Sequence, residues 1–109
     1  MNEIFSRTEM LIGEAALAKL ADSRVAVFGV GGVGGYVAEA LVRAGIGKID
    51  LIDNDTVSRS NLNRQIIALN STIGKMKTQV MKDRLLDINP QLKVVLHEKF
   101  VLSENIDEF

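Results

Sequence analysis

Apolar residues along this chain fall into short clusters separated by polar or glycine-rich stretches. After a short polar start, the stretch up to residue 24 reads as one helix. Leu11, Ala15, Leu17, Ala18 and Leu20 are its candidate apolar face. Residues 25–28 (Val-Ala-Val-Phe) are an unbroken apolar run ending at glycine, the pattern of a buried parallel strand. Residues 29–35 are a glycine-rich turn. Residues 36–44 then show helical spacing, with Val37, Ala40, Leu41 and Ala44 on one face and Gly45 as the stop. Tyr36 and Phe28 read as core side chains. Residues 49–52 are a second strand, ending at Asp53.

Downstream, residues 53–60 are a polar loop and residues 61–68 a candidate short helix. A stronger helix is expected over residues 75–89, where Val80, Met81, Leu85 and Ile88 repeat at helical spacing and Pro90 marks the end. Residues 93–97 are a third strand, with Phe100 and Val101 as a possible extension, and Ser103 is placed to cap a further helix. Strands alternating with helices imply a parallel sheet with right-handed crossovers. The expected fold is α/β: a Rossmann-like, three-layer α/β/α architecture, of which residues 1–109 supply the N-terminal βαβαβ half of a doubly wound parallel sheet, strand order 3-2-1. The second half is expected to lie in a longer protein of which this is the N-terminal portion.

Gly29-Val30-Gly31-Gly32-Val33-Gly34 fits G-x-G-x-x-G. In that motif the first glycine permits the turn, the second lets phosphate approach the backbone, and the third lets helix pack close to strand. The helix start offers free N–H groups and partial positive charge to an anion. The motif alone is weak. Here it follows a strand, opens a helix and precedes by 19 residues an acid, Asp53, at the end of the next strand. That context marks nucleotide binding. Asp53 by itself suits ribose hydroxyls and points first to NAD. No G-x-x-x-x-G-K-[ST] is present, which excludes a P-loop.

A second polar cluster changes the reading. Asp53-Asn54-Asp55-Thr56-Val57 leads to Ser60-Asn61-Leu62-Asn63-Arg64-Gln65 and then to Gly74-Lys75-Met76-Lys77. All of it follows the carboxyl end of the second strand, where doubly wound sheets bind ligands. Arg64 and Lys77 bring two cations toward phosphate, which suits a triphosphate whose pyrophosphate must leave. Asn61, Asn63 and Gln65 can orient phosphate oxygens or a base. Asp55 admits two readings, site acid or loop acid. His97, the single histidine, reads as structural.

These motifs, in this order, resemble the ThiF/MoeB/HesA family, bacterial relatives of ubiquitin-activating enzymes. The N-L-N-R-Q element is the most specific part, and the likeness covers almost the whole chain. Arg7-Thr8-Glu9-Met10-Leu11-Ile12-Gly13 is similar to the branch that dehydrates threonylcarbamoyladenosine in tRNA. The resemblance implies attack on the α-phosphate of ATP-Mg2+ to give an adenylate and pyrophosphate. It implies that Gly29, Gly31, Gly32 and Gly34 contact phosphates and that Asp53, flanked by Asp55, holds the ribose. It also implies that Ser60, Asn61, Asn63, Arg64 and Gln65 hold base and phosphates, and Lys77 the phosphates. Arg7 matches an arginine that reaches into a partner subunit's site, so that Arg7, Arg64 and Lys77 are the candidate catalytic cations of a homodimer. The family's magnesium carboxylate follows a fourth strand, so no metal ligand is assigned within these residues. The tRNA-binding part is likewise expected outside them, and this chain alone is expected to bind ATP without completing catalysis.

Composition narrows the alternatives. Net charge is −1, so no global basic field holds nucleic acid here. The absence of cysteine excludes disulfides, thiolate metal sites and a cysteine nucleophile within these residues. No signal-peptide pattern and no apolar run near the roughly 20 residues of a membrane span is present, so a cytoplasmic protein without membrane association is expected. Three other functions stay open: adenylation of a ubiquitin-like sulfur carrier's C-terminus, an NAD-binding oxidoreductase, and a non-catalytic nucleotide-binding module.

Overall fold

A computed structural model of the protein describes residues 3–109. The order of regular elements is α1 (Ser6–Ile12), α2 (Glu14–Ala21), β1 (Arg24–Phe28), α3 (Gly32–Ala44), β2 (Lys48–Ile52), α4 (Lys77–Ile88) and β3 (Lys93–His97). Short 3-10 turns occupy Glu3–Phe5, Arg59–Asn61, Asn70–Thr72 and Ile106–Glu108. The sheet is parallel, with β2 central and β1 and β3 at its edges, so read in reverse it is the expected 3-2-1 order. Val27, Leu51 and Leu96 are in register across it.

Both crossover helices pack on one face, as right-handed crossovers in this strand order demand. Val27, Ile49 and Leu51 from the sheet meet Ala38 and Val42 of α3 and Val80, Met81 and Leu85 of α4 in one apolar cluster. The other face carries Arg24, Ala26 and Phe28 of β1 beside Asp50 and Ile52 of β2. No helix among the described residues covers it as a third layer. Asp50 is buried there and forked by Arg24, at 2.8 Å from Nη2 to Oδ2, which raises the arginine's pKa through that hydrogen bond and charge.

Several sequence expectations shift. The first helix is two, because Gly13 takes φ +87°, a left-handed value that breaks the run. Leu17 and Leu20 pack against Gly45, whereas Leu11, Ala15 and Ala18 are exposed. The β1 run is buried on one face only, and Phe28 stands 47% exposed at the open face. Helix α3 begins four residues early, at Gly32, and turns Gly35, Ala38 and Val42 inward. Val37, Ala40 and Ala44, expected inside, are outside with Tyr36, and Leu41 is half-buried. Residues 61–68 form turns, not a helix; Asn61 accepts the Ser58 N–H at 2.9 Å, capping the single 3-10 turn Arg59–Asn61. Phe100 and Val101 lie beyond β3, and Asn105 rather than Ser103 organises the last turn through Leu102 N–H.

The α3 reversal has a steric cause. A Cβ on Gly34 would sit 1.7 Å from the Gly29 carbonyl oxygen, and one on Gly35 3.1 Å from Ile66. The start of the helix lies so close to the glycine turn that position 34 admits no side chain. Gly34→Ala is therefore expected to abolish cooperative thermal unfolding followed by circular dichroism. Gly32→Ala, whose Cβ meets nothing within 4 Å, is expected to leave it unchanged.

Helix α3 is also fastened to α4 by charge. Glu39 accepts from Arg84 and from Arg43, and the Arg84 hydrogen bond, opposed by burial and aided by Arg43, holds its carboxyl below the usual range. A depressed folded-state pKa contributes stability above the unfolded value, about 4.3, that is lost as pH falls through the folded one. Denaturation at pH 7 and pH 3 should show Glu39→Gln losing less stability on acidification than the parent. Leu85→Ala should cost about 2–5 kcal/mol at either pH.

Candidate nucleotide-binding site

The glycine turn closes on three backbone contacts. Gly29 adopts φ +85° and donates to the Ile52 carbonyl at 2.7 Å, locking the turn to β2. Val30 N–H donates to Asp53 Oδ2 at 2.9 Å, and Asp55 N–H donates to Asp53 Oδ1 at 2.8 Å. Asp53 thus ties the turn after β1 to the loop after β2. Each carboxylate oxygen keeps a lone pair beyond the one in use, so a ribose hydroxyl can still be received. The first intrahelical bond of α3 runs from Gly35 N–H to Gly31 C=O at 3.2 Å, leaving the amides of residues 32–34 as the helix's free donors. Open space over Gly32 gives an anion room to reach them.

The loop after β2 folds back on the start of α4. Val57 N–H donates to Lys75 C=O at 2.8 Å and Lys77 N–H to Asp55 C=O at 3.0 Å. This puts Lys77 on the first turn of α4, 7% exposed, with its ammonium 3.8 Å from Asp55 Oδ2. One loose ion pair to an exposed acid is a thin complement for a buried cation. That pairing leaves the ammonium able to meet a further anion.

The Ser60–Gln65 element contributes in two different ways. Asn61 and Gln65 are buried, and the Gln65 carboxamide lies under the turn, with Nε2 3.2 Å from where a Gly31 Cβ would stand. Gln65 Oε1 is buried without a hydrogen-bond partner. Ser60, Asn63 and Arg64 are exposed. Arg64 Nη1 donates to Ser60 C=O and Asn63 Oδ1, at 3.1 and 2.9 Å, which aims the guanidinium from a fixed base. Arg7 stands apart, exposed on α1 with no hydrogen bond or ion pair among the described residues. So the turn, Asp53, Asp55, Gln65 and Lys77 form one connected assembly. Ser60, Asn61, Asn63 and Arg64 adjoin it through Gln65, and Arg7 is not brought to it within one chain. A cleft of about 550 Å3 lies at the opposite end of the sheet, lined by Leu17, Gly47, Lys48 and Lys93 among others.

Sequence reasoning missed two features. Asp53 as the clamp on Val30 N–H was hidden because a ribose role already explained the acid. The pairing of residues 55–57 with 74–77 leaves no sequence signal, since it is made by backbone groups.

The tRNA threonylcarbamoyladenosine dehydratase of Bacillus subtilis is 49% identical over 105 residues, 96% of this chain and 41% of the relative. The Escherichia coli enzyme of the same name is 46% identical over 105 residues, 96% of this chain and 39% of its own. The chain thus spans about two fifths of the length of these relatives. A crystal structure of the E. coli dehydratase in complex with ATP superposes with a TM-score of 0.95 at 45% identity, covering 97% of this chain and 44% of that one. E. coli MccB with ATP is similar at a TM-score of 0.84 and 33% identity, over 92% of this chain and 32% of that one. The model of the ThiF family matches residues 5–109, and the chain belongs to that family.

Proposed function

We propose that this chain is the ATP-binding part of an enzyme that adenylates the threonylcarbamoyl group on a tRNA adenosine, leading to its cyclisation with loss of water. The observation that carries this reading is that Asp53 ties the glycine turn, where α3 starts with free amides, to the loop whose Asp55 loosely pairs with the buried Lys77. The likeness to ATP-bound and AMP-bound dehydratase structures supports it.

In this reading the amides of residues 32–34 hold phosphate oxygens, and Asp53 receives the ribose while keeping the turn in place. Gln65 supports the turn from beneath, and Asn61 fixes the loop that carries it. When the acceptor oxygen bonds to the α-phosphorus, the bond to the β-phosphate bridging oxygen breaks and the electron pair leaves with pyrophosphate. Lys77 and Arg64 stabilise the charge that grows there, and Arg7 of a second subunit completes the set. Ring closure then releases AMP. Magnesium, bound with the triphosphate, offsets phosphate charge. No group of three or more His, Cys, Asp or Glu among the described residues is arranged to hold it. We assign its carboxylate, and the tRNA surface, to the segments that the longer relatives possess. A homodimer in the cytoplasm completes the proposal; no helix among the described residues is long and apolar enough to cross a membrane.

Titration calorimetry is expected to show ATP binding to this chain and no binding of NAD at equal concentration. Asp53→Ala and Lys77→Ala should each weaken ATP by about 1–3 kcal/mol, the cost of losing a charged hydrogen-bond partner. NAD binding with no ATP binding would overturn the reading.

The activity is tested by grafting residues 3–109 in place of their equivalents in the E. coli dehydratase. Nucleoside mass spectrometry should then find the threonylcarbamoyladenosine of tRNA lighter by one water. Arg64→Ala and Lys77→Ala in that chimera should lower kcat by roughly 10- to 100-fold with smaller changes in KM, as for groups acting on transition-state charge. A chimera that adenylates a sulfur-carrier C-terminus and leaves tRNA unchanged would favour the carrier reading instead.

A further inference from the structure

Each strand of the sheet opens on a cation. Arg24, Lys48 and Lys93 stand in register at the first position of β1, β2 and β3, with neighbouring backbones about 4.8 Å apart. Like charges directly opposite on one face of a sheet oppose its pairing. Asp50 matches Arg24, but Lys48 and Lys93 make no ion pair and no side-chain hydrogen bond among the described residues. A lysine on an edge strand deters pairing with another chain, which accounts for Lys93 on β3. It does not account for Lys48, because β2 is central.

Both lysines line the cleft of about 550 Å3 at this end of the sheet, a size that suits a small molecule. Leu17, Ala18 and Ala21 of α2, with Phe5, give it an apolar wall. Asn89, at the end of α4, lines it too and is only 6% exposed. Its Oδ1 accepts the Gln91 N–H at 3.1 Å, whereas its Nδ2 donates to nothing among the described residues. Buried amides are ordinarily paired. Solvation explains two exposed lysines; it does not explain a buried amide with a spare donor in the wall of the same cleft. Glu14 and Asp22 also line the cleft, unpaired, so two acids stand against the two lysines. That balance admits one added negative charge and disfavours several.

We propose that this cleft binds a small organic monocarboxylate with an aliphatic body. Lys48, Lys93 and the Asn89 amide take the carboxylate, and Phe5, Leu17 and the α2 alanines take the body. One carboxylate offsets the repulsion between the two lysines and gives the spare Asn89 donor an acceptor. The site lies roughly 16 Å, the length of a five-residue strand, from the end of the sheet that carries the glycine turn. It does not rest on the nucleotide reading, and the triphosphate of ATP carries too much charge for it.

Sodium hexanoate is the probe, and heteronuclear NMR of this chain is the readout. Hexanoate is expected to shift the Asn89 side-chain amide and the backbone amides of Gly45 and Gly47 along one saturable curve. Hexanol, with the same body and no charge, should bind about tenfold more weakly. So should inorganic phosphate, which has charge and no body. Lys48→Gln and Lys93→Gln change exposed side chains and should keep the parent circular dichroism spectrum. Each should weaken hexanoate about tenfold, the loss of one charge-assisted hydrogen bond. Saturating ATP should leave hexanoate affinity unchanged. Equal binding of hexanol or phosphate, unchanged affinity in both lysine variants, or shifts confined to residues outside the cleft would overturn the proposal. Competition by ATP would overturn it too, by giving the cleft to the nucleotide. Absence of ATP binding strikes the nucleotide reading alone.

Discussion

Helix α3 lies so near β1 that a single methyl group at residue 34 would occupy the space of the Gly29 carbonyl oxygen. Most of what the molecule does depends on that approach. It points the start of α3, with its unbonded amides, past the end of the sheet, where an anion can reach them. It turns Gly35, Ala38 and Val42 inward and leaves Val33, Tyr36 and Val37 exposed on the outer face.

Polar groups hold the turn in that position. Asp53 spends one lone pair of each carboxylate oxygen on backbone amides, one in the glycine turn and one in its own loop. Asp55 then passes the connection to α4, through its carbonyl to Lys77 N–H and its carboxylate to the ammonium. The same acid can thus both build the site and receive a ribose, which makes its two roles inseparable by simple deletion. On the opposite face of the sheet, Asp50 and Arg24 form a buried-acid ion pair with His97 Nε2 3.6 Å from Asp50 Oδ2. Phe109 sets its ring edge-on against His97 and Phe28 there.

The strands, the glycine motif and helix α4 were legible because each is specified locally. Val25 to Phe28 is an apolar run ending at glycine, Ile49, Leu51 and Ile52 and then Val94 to Leu96 are short apolar clusters, and α4 carries its own period and stop. Acidic Asp53 at a strand end, with N-L-N-R-Q and G-K-M-K after it, identified the family and marked the candidate nucleotide site for the same reason: spacing along the chain preserves chemistry. What local pattern did not reveal is the direction in which an amphipathic face points. Periodicity marked Val37, Ala40 and Ala44 as one face of a helix, which they are. Only the distance between α3 and β1, a property of the assembled turn and sheet, decided that this face looks outward. The same holds for Phe28, whose side of the sheet no helix covers. It holds as well for Lys77, whose burial comes from backbone pairing between residues 55–57 and 74–77. Residue type and spacing determined which groups are present and in what order. Close packing between segments distant in sequence decided which of them are buried, which are free, and which are left facing another molecule.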